Sequence, residues 1–211
     1  MLSTHAGQFE EWSGQAYAYF PQVDVSQLRQ HVQLGADVRS GRGALRMWSD
    51  FEKGQWTGGA ADTDLKDLNI RFDAQYPPLA LDQLSGRLAA RIHAAGFEVT
   101  TRHMSFVTAQ GLHWPGGNVA LRYTHPQASS SQAAQGHLLA DALDLEALRD
   151  LSLRLPLPDE LHQRLQLHPV TGQVRSLEMN WQGPWQAPTL YAVQAKVENL
   201  NLPTKIDESP N

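Results

Sequence analysis

The chain has no cysteine, which excludes thiolate metal sites, cysteine nucleophiles and structural disulfides and leaves either redox compartment open. It also lacks a basic surplus. The formal net charge is -5 and the pI is near 6.0, whereas a nucleic-acid binder carries excess Lys and Arg to neutralise phosphates. No stretch approaches the roughly 20 apolar residues of a membrane span, and the opening Met1 to Trp12 has neither the positive flank nor the apolar core of a signal peptide. The text opens directly on polar and aromatic residues and closes on the acidic, unpatterned stretch Lys205 to Asn211, so it reads as an excerpt of something longer. At 211 residues it can bury a core without covalent staples.

What is present is alternation with a period of two. Leu84, Gly86, Leu88, Ala90 and Ile92 fall on one side, and Ser85, Arg87, Arg91 and His93 on the other, as in a half-buried antiparallel strand. Leu45, Met47 and Phe51, then Leu68, Ile70 and Phe72, then Val119, Leu121 and Tyr123 alternate in the same way. Phe97 and Val99 point inward on another strand, but Met104 and Phe106 have the opposite parity, so a bulge is expected near Arg102. Tyr76-Pro77-Pro78 separates two strands, because paired prolines cannot donate to a ladder.

Helical signals are short. Asp24 caps a segment in which Val25, Leu28 and Val32 share a face, Asp144 caps Leu145, Leu148 and Leu151, and a third segment spans Pro158 to Gln166. The surroundings of the first two match: Val23 to Arg29 resembles Leu143 to Arg149 at an offset of 120 positions, and Asp67 to Ile70 resembles Asn199 to Leu202 at an offset of 132. The order of these echoes suggests a diverged repeat with one insertion. The expected organisation is a lead-in over 1–13, a first unit over 14–126 with a helix near 24–33, and a flexible loop over 127–135. The start of a second unit follows over 136–203, with helices near 144–152 and 158–166, and then a disordered tail over 204–211.

Catalytic chemistry finds little support. The stretch Gly111 to Asn118, GLHWPGGN, places His113 beside Gly116 and Gly117, a combination that can form an oxyanion loop. No Gly-x-Ser-x-Gly elbow accompanies it, and the histidine pairs His162 with His168 and His103 with His113 lack the one-face spacing of a helical zinc motif. GLHWPGGN is therefore expected to be a bend between two strands, with His113 ending one strand and Trp114 as a rim aromatic. Asp62, Asp64 and Asp67 read as a solvated turn. No enzyme, metal or cofactor is expected. The apolar strand faces need cover that short helices cannot supply, and composition alone favours a closed core, because exposed apolar faces that large are uncommon.

The succession GRGALRMW, YPPLALDQLSGRL, GFEVTTRHMSF, GLHWPGGN and ALDLEALRDL before LPLP resembles the YhdP branch of the AsmA-like proteins of Gram-negative bacteria, over roughly Gly14 to Pro203. The resemblance implies a mainly β fold: a curved, twisted antiparallel sheet forming an open groove, one piece of a repeating β-groove. It implies a periplasmic location, tethered to the inner membrane in full-length relatives, and phospholipid transport between inner and outer membranes that maintains the outer-membrane barrier. The implied partners are phospholipid acyl chains, neighbouring repeats of a longer chain, and membrane proteins at either end. On this reading Leu45, Met47, Leu68, Ile70, Leu88, Ile92, Val99, Phe106, Val119, Leu121, Leu177, Met179, Val193 and Val197 line the groove. Acyl chains would bind there by area, at roughly 25 cal/mol per Å² of apolar surface removed from water. The alternative is a structural or interaction module of a cell-envelope assembly with a closed core.

Overall fold

The structure is a computed structural model and describes residues 12–28, 37–126, 133–155, 170–184 and 188–201. Ten strands form one antiparallel sheet: β1 (Gly14–Asp24), β2 (Asp37–Glu52), β3 (Gln55–Arg71), β4 (Leu79–His93), β5 (Gly96–Thr108), β6 (His113–Thr124), β7 (Gln135–Ala140), β8 (Leu143–Asp144), β9 (Thr171–Gln182) and β10 (Leu190–Asn201). Among the described residues two helices, α1 (Val25–Leu28) and α2 (Leu145–Ser152), follow β1 and β8. The strand order is β1-β2-β3-β4-β5-β6-β7-β9-β10, with β8 pairing β9. The sheet is a meander that does not close on itself, and its repeated bulges add the local twist that coils a wide sheet into an open groove.

Bulges set which side chains face inward. In β5 the register slips between Thr101 and Met104, where His103 has φ 49°, and that slip returns Met104 and Phe106 to the face of Val99, as the parity change predicts. Asp67 does the same in β3 at φ 52°, bringing Leu68 and Ile70 onto the face of Leu65. Asp62, Asp64 and Asp67 are thus strand residues, not a turn. Asp62 accepts from Arg87 at 3.0 Å and Asp67 from Arg42 at 3.0 Å, so cross-strand ion pairs hold carboxylates that looked like loop polarity.

GLHWPGGN is also placed differently. The reversal takes in only its first two residues, where Thr108 N–H donates to the Leu112 carbonyl, Gly111 N–H to the Thr108 carbonyl, and Leu112 N–H to Thr108 Oγ1. His113 to Gly117 belong to β6, where Trp114 pairs with Phe106, Pro115 with Ser105 and Gly117 with Met104. Gly116 takes the slip with φ 88°, a left-handed conformation that glycine adopts without steric cost. Trp114 is buried and is not a rim residue.

The closed core sits at one end of the strands. Leu68, Leu79, Leu81, Phe106 and Trp114 pack with Val25 of α1, Leu143 of β8, Ala147 of α2 and Val174 of β9. Asp24 Oδ1 accepts from the Ser26 N–H and hydroxyl, and Asp144 Oδ1 accepts from Ala147 N–H at 2.9 Å. Each aspartate therefore caps the helix start that the sequence assigns to it. The helix expected near 158–166, the continuation of α1 toward 33, the loop over 127–132 and the tail over 204–211 lie outside the described residues.

The strands before and after the middle of the sheet share one register. In β2 and β3, Leu45 pairs Thr63, Met47 pairs Ala61 and Asp50 pairs Gly58. In β9 and β10, Leu177 pairs Ala195, Met179 pairs Val193 and Gln182 pairs Leu190, each residue 132 positions on.

Candidate functional site

Following the pairing from strand to strand reveals two apolar rows that cross the sheet on one face. The first runs Met47, Ala61, Leu88, Thr101, Val119, Ala140, Leu177 and Ala195. The second runs Ala90, Val99, Leu121, Leu138, Met179 and Val193. A third row joins Ile92, Phe97, Tyr123, Gly136, Trp181 and Tyr191, where Trp181 and Tyr123 stack with centroids 6.4 Å apart. Gly136 is needed beneath that stack, because a Cβ there would overlap the Trp181 ring.

The first row passes through the core, where Ala140 is buried and Val119 and Leu177 pack against it, and the rows continue the same face beyond the helices. Leu45, Leu68 and Phe106 are buried in the closed part, at 7%, 3% and 7% exposure. Leu88, Ile92 and Val193 on the open part are 44%, 51% and 51% exposed. The sequence-derived groove residues therefore divide. Leu68, Ile70, Phe106, Val119 and Leu177 belong to or pack on the helix-covered core and Leu45 is buried, while Met47, Leu88, Ile92, Val99, Leu121, Met179 and Val193 lie on the open part of the rows. Val197 pairs with buried Val174 at the boundary. Sequence parity placed Phe97 and Tyr123 on the inward side without carrying them into the groove set, and it did not single out Leu138 and Trp181, although their alternation within β7 and β9 carries the signal.

The opposite face is polar and ion-paired. Arg87 Nη1 donates to Asp62, and its guanidinium lies 4.8 Å from the Trp48 ring centroid. Arg122 Nε donates to Glu98 at 2.7 Å, and Arg46 lies over Tyr19. An open concavity of about 870 Å³ on this face is lined by Thr100, Asn118, Ala120, Leu139, Glu178 and Gln194, among others. Its lining is mixed in polarity, and Asp141 there is engaged by the Asn118 N–H and side-chain amide. Thr101, Val119, Ala140, Leu177 and Ala195 of the first row also line it.

Among the described residues no group of three or more His, Asp or Glu could hold a metal ion. His113 is exposed at the start of β6. Nor is any helix among those residues long and apolar enough to cross a membrane.

An open antiparallel sheet with a track of apolar and small uncharged side chains on one face and charges on the other defines a β-groove protein. A family model described as YhdP protein matches residues 3–210, and the chain belongs to that family of AsmA-like envelope proteins. No curated protein and no solved structure matches it.

Proposed function

We propose that the chain shields phospholipid acyl chains on its open apolar track, as a non-enzymatic, periplasmic segment in lipid movement between the inner and outer membranes. The observation that supports this most is the continuity of the track: an apolar or small side chain stands at every step from Met47 to Ala195, without an intervening charge. Acyl chains need contact area and no directed hydrogen bonds, at roughly 25 cal/mol per Å². Neighbouring repeats at the sheet edges would extend the same track.

The test is native mass spectrometry of the purified chain for co-purifying phospholipid, beside Leu88→Asp and Leu121→Asp variants assayed for outer-membrane barrier function. Retained lipid in the wild type, lost in both variants, is the expected result. Absence of lipid with an intact barrier in the variants overturns the reading.

A second reading, a structural or interaction module, draws on the helix-covered end, where the core is closed. It requires the track to be covered in solution. A hydrophobic dye that finds no accessible surface on the folded chain would support it.

A further inference from the structure

We propose that the polar face carries a phosphate-binding site between Arg87 of β4 and Arg102 of β5. It lies on the side of the sheet away from the apolar rows, so it holds whether or not those rows carry lipid. The two arginines pair across the strands, where opposed Cα atoms are about 4.5–5.5 Å apart and like charges repel. The β5 bulge creates this placement. From the Ser85–Ser105 pair to the Arg87–Arg102 pair, β4 advances two residues and β5 three, so a regular ladder would set His103 opposite Arg87 instead. Bulges re-aim side chains in this way and recur beside binding sites.

Both members of the pair are held in position. Arg87 Nη1 donates to Asp62 Oδ1 at 3.0 Å, and its guanidinium lies 4.8 Å from the Trp48 ring centroid. Only Nη1 engages that carboxylate, which leaves Nε and Nη2 for another acceptor. The bulge next to Arg102 is fixed by Asn118, whose Oδ1 accepts the His103 N–H at 3.0 Å and whose amide donates to Asp141. Ala89 and Thr100 form the next pair on this face. Their side chains are short, and the hollow they leave, about 300 Å³, is lined by them together with Arg87 and Arg102.

The hollow lacks a negative charge of its own. Arg39, Arg42, Arg122 and Arg175 each meet an aspartate or glutamate, Arg46 lies over Tyr19, and Arg91 stands opposite Glu98. Among the described residues Arg102 faces a second arginine and makes no ion pair. Asp141 and Glu178 line the wider concavity beyond it, but Asp141 accepts from Asn118, and Glu178 lies 3.5 Å from His137 Nε2. An oxyanion between the guanidiniums supplies the missing charge. Guanidinium forks match phosphate oxygens two at a time, and Thr100 adds a hydroxyl donor. Two forks and a hydroxyl need more than two acceptor oxygens, which a phosphate group has and a carboxylate lacks. The group can be a free phosphate or part of a lipid headgroup.

The probe is inorganic phosphate, titrated at fixed ionic strength into the isotope-labelled chain while NMR follows the arginine Nε–H signals and the backbone amides of Thr100 to His103. Saturable shifts at Arg87 and Arg102 are the expected result. Arg102→Gln relieves the repulsion between the pair, so the fold is kept, and it should weaken binding about tenfold. Arg39→Gln removes the same charge elsewhere and should leave binding unchanged. Shifts that do not saturate, or that weaken equally in both variants, overturn the proposal. Urea unfolding is the independent measurement. Phosphate stabilises folded proteins generally, through exclusion from their surface, so the readout is a difference: the wild type should gain more from phosphate than Arg102→Gln does. Equal gains overturn the site. Phosphatidylglycerol vesicles separate the two sources of the group. Co-sedimentation that Arg102→Gln abolishes supports a lipid headgroup, and saturable phosphate binding without co-sedimentation supports a soluble phosphate.

Discussion

Phe106 and Trp114 stand directly opposite each other on β5 and β6, their rings stacked with centroids 5.4 Å apart and planes 13° from parallel. Both are buried, and both reach the inner face only because of bulges, at His103 in one strand and at Gly116 in the other. The pair joins the sheet to the helix-covered core.

Phe106→Ala removes one ring and leaves a cavity against the other, so it is expected to destabilise the fold by about 3–5 kcal/mol. Urea unfolding followed by tryptophan fluorescence gives the value. A change below about 1 kcal/mol would show that the end near α2 is not a packed core.

Position along a strand decides the effect of altering an apolar residue. Leu81, at 5% exposure, sits under the helices, and Leu88, at 44%, sits on the open track. Leu81→Ala should cost about 2–5 kcal/mol. Leu88→Asp should leave the urea midpoint nearly unchanged, within about 0.5 kcal/mol, while reducing any retained phospholipid.

Gly43 has φ 151°, and a Cβ there would overlap the carbonyl oxygen of Asp64 on β3. Gly43→Ala must push β2 and β3 apart, which is expected to cost about 1–3 kcal/mol. Gly111→Ala is a useful contrast, since nothing lies near its Cβ position and only its φ of 81° resists substitution. Thermal unfolding of the two variants should rank Gly43→Ala as the less stable.

The Ser26 hydroxyl and N–H, in that order, hold the Asp24 carboxylate below its ordinary pKa, and the Arg175 guanidinium does so for Glu198. A carboxylate with a depressed folded-state pKa contributes stability that is present above its unfolded value, about 4, and is lost as pH falls through the lower folded value. Stability should therefore decline on acidification below about pH 4. In an Asp24→Asn, Glu198→Gln double variant, urea midpoints should decline less steeply across that window. An unchanged slope would show that neither carboxylate is linked to folding.

Much of this was legible from local pattern. Period-two alternation gave the strands, the parity change across Arg102 gave the β5 bulge, and the two aspartates gave the helix starts, because each depends on near neighbours in the chain. The matched strings around Asp24 and Asp144, and around Asp67 and Asn199, align with positions that share register. GLHWPGGN was misplaced because proline and paired glycines are read as a break, and a bulged strand tolerates them equally well. The true turn is organised by Thr108, whose side chain gives no such cue.

The sequence by itself determined the antiparallel strands, their inward and outward sides, and the lack of thiol chemistry, since these follow from residue type and a two-residue period. Only the tertiary structure decided where the apolar face is closed and where it is open. That division depends on α1 and α2 folding back over one end of the sheet, a long-range contact with no local signature. It separates Leu68 and Phe106, which are buried in the core, from Leu88 and Val193, which stay exposed on the open part of the same face.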